Sequence, residues 1–141
     1  MSGTTRALLI EHPIKVKTYD IDAMGIVSNI VYIRWFEDLR LESLASYFPY
    51  EEMIANDFSP ILAKTEVEYK FPVRISDKLI GRVWIDSLGK AKWVAKFEIV
   101  SEERTHCIGK QTGYFFDMKK NRPIPVPNRL RWAYEQSLES L

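Results

Sequence analysis

The densest chemical feature of the 141-residue chain runs from Tyr19 to Glu37. It opens on two carboxylates, Asp20 and Asp22, continues through Gly25, and passes into Ser28 and Asn29, both good helix N-caps. An aspartate has an ordinary pKa of about 3.9, so it is ionised near neutral pH and can serve as a nucleophile or as a general base. A helix that starts at Ser28 or Asn29 offers unpaired backbone N–H groups and the positive end of its dipole, which suit a developing oxyanion. By residue type alone, either aspartate also reads as loop punctuation. The remaining reactive residues are scattered. His12 and His106 have no partner at triad or metal-ligand spacing and read as surface or turn histidines. Cys107, the one cysteine, lies in a strand pattern and reads as a small buried hydrophobe. It can form neither an intrachain disulfide nor a Cys-rich zinc site, so no metal is expected and a reducing cytoplasm is the natural compartment.

The elements that must position these groups are legible as periodicities. Residues 12–19 alternate, with Ile14, Val16 and Thr18 on one side and Lys15 and Lys17 on the other, as in a strand with one wet face. From Ser28 to about Tyr47 there is no Gly or Pro, which predicts the main helix, and Pro49 stops it. Arg34, Asp38 and Glu42 form a narrow polar stripe on that helix. Ile30, Ile33, Phe36, Leu39, Leu41, Leu44 and Tyr47, with Tyr32 and Trp35 beside them, cover most of the remaining circumference. Such a helix is mostly buried, with Glu37 and Arg40 interrupting the apolar arc. Four further alternating segments follow, at residues 65–71, 79–85, 92–99 and 108–116. Short turns between the later segments imply antiparallel neighbours. Pro123, Pro125 and Pro127 predict an extended tail, and Asn128 can cap a final helix from residue 129 to about 138. The pattern predicts an α+β fold in which a twisted antiparallel sheet wraps a central helix.

Composition narrows the function classes. Hydrophobic residues make up 46% and charged residues 28%, the balance of a soluble globular domain, here read as one domain over residues 1–141. Twenty Lys and Arg against 19 Asp and Glu leave a net charge of +1, so no nucleic-acid partner is expected. The apolar run at residues 7–10 is too short for a signal core or a membrane span, and no membrane partner is expected either.

The segment from Tyr19 to Glu37, written Asp-x-Asp-Ala-x-Gly-Ile-Val, a short gap, then Tyr-x-Arg-Trp-Phe-Glu, resembles the signature of hot-dog fold thioesterases of the 4-hydroxybenzoyl-CoA thioesterase type. The likeness continues in the strand-Pro-turn-Asp segment at residues 67–77 and in the closing stretch at 121–127. The resemblance implies hydrolysis of an acyl-CoA thioester to a carboxylic acid and free CoA, without a cofactor. It implies that Asp22 is the catalytic carboxylate, as nucleophile or as general base, and that the backbone N–H at Asn29 polarises the thioester carbonyl. Gly25 and Tyr32 would lie against the substrate, and Lys90 and Lys92, flanking the turn at Gly89, would meet the CoA phosphates; Arg74 and Arg82 are weaker candidates. It further implies a homodimer or homotetramer with sites at the dimer interface. Two alternatives remain on sequence grounds: an acyl-carrier-protein thioesterase, and a non-catalytic acyl-CoA-binding hot-dog module. A hot-dog dehydratase fits less well, because neither histidine falls in the helix-loop motif.

Overall fold

The computed structural model describes residues 6–140. Five strands form one antiparallel sheet: β1 (Ala7–Ile14), β2 (Phe58–Tyr69), β3 (Leu79–Leu88), β4 (Lys92–Val100) and β5 (Thr105–Asp117). Their spatial order is β1-β3-β4-β5-β2, and a short β6 (Arg122–Ile124) pairs with the end of β5. One face of this sheet is apolar because alternate residues align across it. Val83, Phe97, Gly109 and Val67 make one such row, each paired with the next. The central helix α1 (Asn29–Ala45) lies on that face. Phe36 is fully buried there and stacks on Phe97, with ring centroids 4.7 Å apart. It can do so because Gly109 has no side chain; a Cβ at that position would overlap the Phe36 ring. An antiparallel sheet curled around one long helix is the hot-dog fold, as the resemblance implied.

The helix buries Val31, Tyr32, Trp35, Phe36, Leu39 and Ser43, and leaves Arg34, Asp38 and Glu42 exposed as the polar stripe. The apolar arc read from sequence was too wide. Ile30 and Leu41 are exposed and Ile33 is only half-buried, because the sheet ends beside them at the edge strand β2.

Element boundaries differ from the periodicity reading in three places, each with a cause. The first strand is Ala7–Ile14 rather than 12–19. It pairs with β3, whose first residue Leu79 stands opposite Ile14, so the partner runs out there and the chain enters a short 3₁₀ turn, Thr18–Asp20. β2 begins at Phe58, seven residues before the alternation was read. Pro60 masked its start, and a proline is tolerated because β2 is an edge strand. Between α1 and β2 lies a second helix, α2 (Tyr50–Ala55), so Pro49 marks the start of one helix rather than the end of another. The tail forms α3 (Asn128–Glu139), with Pro127 at its N-cap position in place of Asn128. Arg129 of α3 donates to the Tyr47 carbonyl (2.6 Å) and pairs with Glu52, and Arg131 donates to the Gly89 carbonyl, so α3 closes the end of the sheet that carries the β3–β4 turn. No described helix is long and apolar enough to cross a membrane.

Candidate active site

The loop between β1 and α1 folds back on itself. Ile21 bridges Val27, the Asp22 N–H donates to the Ile26 carbonyl (2.9 Å), and the Ser28 N–H donates to the Asp20 carbonyl (3.0 Å). The turn at residues 22–25 is closed by the Gly25 N–H donating to the Asp22 carbonyl (3.0 Å). Gly25 has φ +77°, with open space where a Cβ would stand. Its glycine is therefore required by conformation, not by crowding. The loop is anchored from the other side by the Val27 N–H, which donates to the Val73 carbonyl (2.8 Å).

This arrangement treats the two aspartates differently. Asp20 is buried, and its Oδ2 accepts the Lys17 N–H (2.9 Å), which ties the 3₁₀ turn together. Asp22 is exposed. Its Oδ1 accepts the N–H groups of Met24 (2.8 Å) and Ile26 (3.4 Å), which orients the carboxylate while no described residue bonds Oδ2. A few residues on, α1 begins at Asn29. Ser28 occupies the N-cap position but makes no side-chain cap bond; the Val31 N–H donates to the Ser28 carbonyl (3.0 Å), and the Asn29 and Ile30 N–H groups keep their capacity to bind an oxygen. The Tyr69 hydroxyl donates to the Asn29 carbonyl (2.9 Å), fastening the start of α1 to the end of β2.

Tyr32 lies one turn inside, 3% exposed, edge-on to Trp35 and Tyr69 at 5.3 and 5.1 Å. Burial pushes its phenol up to about 12, so the group is a neutral donor at any physiological pH. Around the loop, Tyr19, Met24, Ile30, Tyr69, Phe71 and Ile75 are all exposed, an apolar rim beside a carboxylate.

Asp22, Gly25, Asn29 and Tyr32 thus belong to one end of the molecule. Lys90 and Lys92 do not. They follow Gly89, Lys90 in the β3–β4 turn and Lys92 at the start of β4, at the opposite end of β3 from Leu79, and ten strand residues separate the two ends by about 30 Å. Arg82 is taken up by Glu11 and by Glu98 (2.9 Å) on the far face of the sheet. Of the four cations considered, Arg74 stands at the Asp22 end, next to the Val73 carbonyl that anchors the loop.

Three features of this region escaped the sequence reading. Tyr69 was placed in a strand but not linked to the helix start. His106 is buried, not on the surface: its Nδ1 faces the carbonyls of Phe71 and Pro72 (both 3.2 Å) and its Nε2 faces Ser101 Oγ (2.9 Å). It thereby holds the 71–73 segment that supports the loop. Gln111 is buried against α1, joined to Glu37 and Arg40. Cys107 is fully buried, and burial pushes its thiol up to about 12. Among the described residues no cluster of three or more His, Cys, Asp or Glu could hold a metal ion.

The hot-dog fold thus sets an exposed carboxylate, Asp22, ahead of a helix N-terminus that has no side-chain cap. Residues 16–133 match the model of the thioesterase-like superfamily. The chain is 31% identical over 98 residues to the acyl-CoA thioester hydrolase YbgC of Escherichia coli, covering 69% of this chain and 73% of that one. It is 22% identical over 128 residues to the long-chain acyl-CoA thioesterase FadM of the same species, covering 89% and 97%. The crystal structure of a DHNA-CoA thioesterase from Staphylococcus aureus superposes with a TM-score of 0.83 at 21% identity, covering 94% of this chain and 92% of that one. The chain belongs to the thioesterase-like superfamily, and its enzymatic class is thioester hydrolase.

Proposed function

We propose that the protein hydrolyses acyl-CoA thioesters, with Asp22 as nucleophile or general base and the Asn29 backbone N–H as oxyanion donor. The observation that carries this reading is the asymmetry of the two aspartates. Asp20 is spent on structure, whereas Asp22 is exposed with one oxygen oriented by the turn and the other without a protein partner, just before a helix start with no side-chain cap. A thioester carbonyl bound at that helix start develops negative charge as its carbon is attacked, and the N–H groups and dipole stabilise it. Asp22 either attacks the carbon itself, expelling CoA thiolate to leave an acyl anhydride that water opens, or removes the proton from an attacking water. No cofactor is needed for either route. Gly25 keeps the turn tight, and Tyr32 lines the inner wall.

The same reading includes a homodimer, with further pairing to a tetramer left open. β2 is an edge strand of 12 residues, and Ile30, Leu41, Ile61, Leu62 and Tyr69 are exposed along it and along the neighbouring side of α1. A second copy pairing there about a two-fold axis runs its β2 antiparallel to the first. Its β3–β4 turn, with Lys90 and Lys92, then comes to the Asp22 end, where those lysines can meet CoA phosphates. A CoA substrate and a lone buried thiol suit the cytoplasm.

The test is Asp22→Asn, which keeps shape and removes charge and basicity. Turnover of the best acyl-CoA should fall by about a hundredfold or more, with folding and ligand binding retained. Asp20→Asn should lose stability rather than show a pure loss of kcat. Near-normal turnover in a folded Asp22→Asn enzyme sinks the assignment. Should the native protein bind acyl-CoA and hydrolyse none, it is a binding module.

A further inference from the structure

Between the helix and the sheet lies a polar network that starts from a buried amide in the apolar layer and reaches solvent at Glu37. Gln111 is fully buried; its Nε2 donates to Glu37 Oε2 (3.0 Å) and to Thr65 Oγ1 (3.4 Å), and its Oε1 accepts from Arg40 Nη1 (3.2 Å). Arg40 Nη2 donates to Glu37 Oε1 (2.5 Å), and the guanidinium lies 5.2 Å from the centre of the Trp93 ring. Both carboxylate oxygens and both ends of the amide are therefore occupied. Such a network is seldom the most stable filling for a core, since apolar residues of similar volume commonly match or exceed it. Its position points to another use.

Asn29, Ile33, Glu37, Arg40 and Leu44 recur at helical spacing on the side of α1 that faces β2 and β5, as the bonds from Tyr69 to Asn29 and from Gln111 to Glu37 show. Past Arg40 on that side is a small apolar crevice of about 30 Å³, lined by Arg40, Ser43, Leu44, Tyr47, Trp93 and Leu130 among others. An acyl chain whose carbonyl sits at the Asn29 N–H and whose tail follows this side of the helix meets Glu37 after about 12 Å, eight residues along. It meets Arg40 next, and the crevice only beyond it.

We infer that Glu37, Arg40 and Gln111 form a polar stop across the acyl path, so that the enzyme accepts chains ending before the network and rejects those that must cross it. The inference rests on the acyl-CoA thioesterase reading. A methylene chain laid across the network would break its hydrogen bonds without replacing them and would leave the fully buried Gln111 amide and the largely buried Arg40 guanidinium short of partners. Chains that stop short leave every bond in place.

The experiment compares kcat/KM for butyryl-, hexanoyl-, decanoyl- and palmitoyl-CoA in the native protein and in the triple variant Glu37→Leu, Arg40→Met, Gln111→Leu. All three are replaced together because removing one partner strands the others. The native enzyme should favour hexanoyl- over palmitoyl-CoA by about tenfold or more, and the palmitoyl-to-hexanoyl ratio should rise by about tenfold in the triple variant. Circular dichroism reports whether that variant is folded; if it is not, the double variant Glu37→Gln, Arg40→Met, which keeps Gln111, should raise the same ratio. A native profile that is flat or peaks at palmitoyl-CoA overturns the stop, as does an unchanged ratio in a folded variant. A native protein that hydrolyses none of the four overturns the thioesterase reading and the stop with it.

Discussion

Gly25 is the residue on which the geometry of the Asp22 turn depends. Its φ of +77° is costly for any residue with a Cβ, and the space around it is open. Gly25→Ala should therefore destabilise the protein through backbone strain alone, by about 1–2 kcal/mol in denaturant unfolding, and lower kcat by relaxing the turn. A variant as stable and as active as the native protein would show that the turn tolerates a different conformation. At this scale the sequence was informative where a local pattern carries the meaning. Two carboxylates, a glycine and a helix start within ten residues are such a pattern. It was silent where partners are distant in the chain. His106 is buried because Phe71, Pro72 and Ser101 satisfy its ring nitrogens, and Gln111 because Glu37, Arg40 and Thr65 satisfy its amide. A single histidine or glutamine in an alternating strand gives no sign of such company.

The helix and the sheet face it packs on are joined most closely at Phe36. Phe36→Ala removes a fully buried ring from between Gly109 and Phe97 and should cost about 3–5 kcal/mol of unfolding free energy. Ile33→Ala, at a half-buried position beside the edge strand, should cost clearly less. Equal losses in a denaturant titration would mean that α1 presents a different face to the sheet. Elements with long, uninterrupted periods were readable: α1, β3, β4 and β5 all lie where their patterns put them, to within a few residues. The misplacements occurred where pairing, not pattern, sets the limit. β1 ends when β3 runs out of residues to pair, and β2 extends past a proline that only an edge strand accommodates.

At the scale of the whole molecule, the unpaired edge of β2 and the apolar rim around Asp22 predict a dimer. Sedimentation at micromolar concentration should give twice the chain mass, with an interface of about 800 Å² or more per partner; a monomer would remove the basis for shared sites. If each site takes its carboxylate from one chain and its phosphate-binding lysines from the other, two crippled chains should repair each other. Mixing Asp22→Asn chains with Lys90→Ala, Lys92→Ala chains should restore about a quarter of native turnover, because half the dimers are mixed and each mixed dimer holds one intact site of two. No recovery on mixing would place both groups on the same chain or exclude the lysines. None of this was legible in composition: a net charge of +1 conceals that cations and carboxylate lie at opposite ends of one chain.

Every turnover of a thioester hydrolase liberates a thiol, and where dioxygen oxidises that thiol to its disulfide, an accessible cysteine thiolate would exchange with it to form a mixed disulfide and release one thiol. Cys107 is enclosed beneath α1, and with its pKa near 12 it holds almost no thiolate, the form that takes part in exchange. The folded chain is thus chemically blind to the thiol it releases, whether the surroundings are reducing or oxidising. A colorimetric thiol reagent added to a working sample counts product and leaves the catalyst untouched.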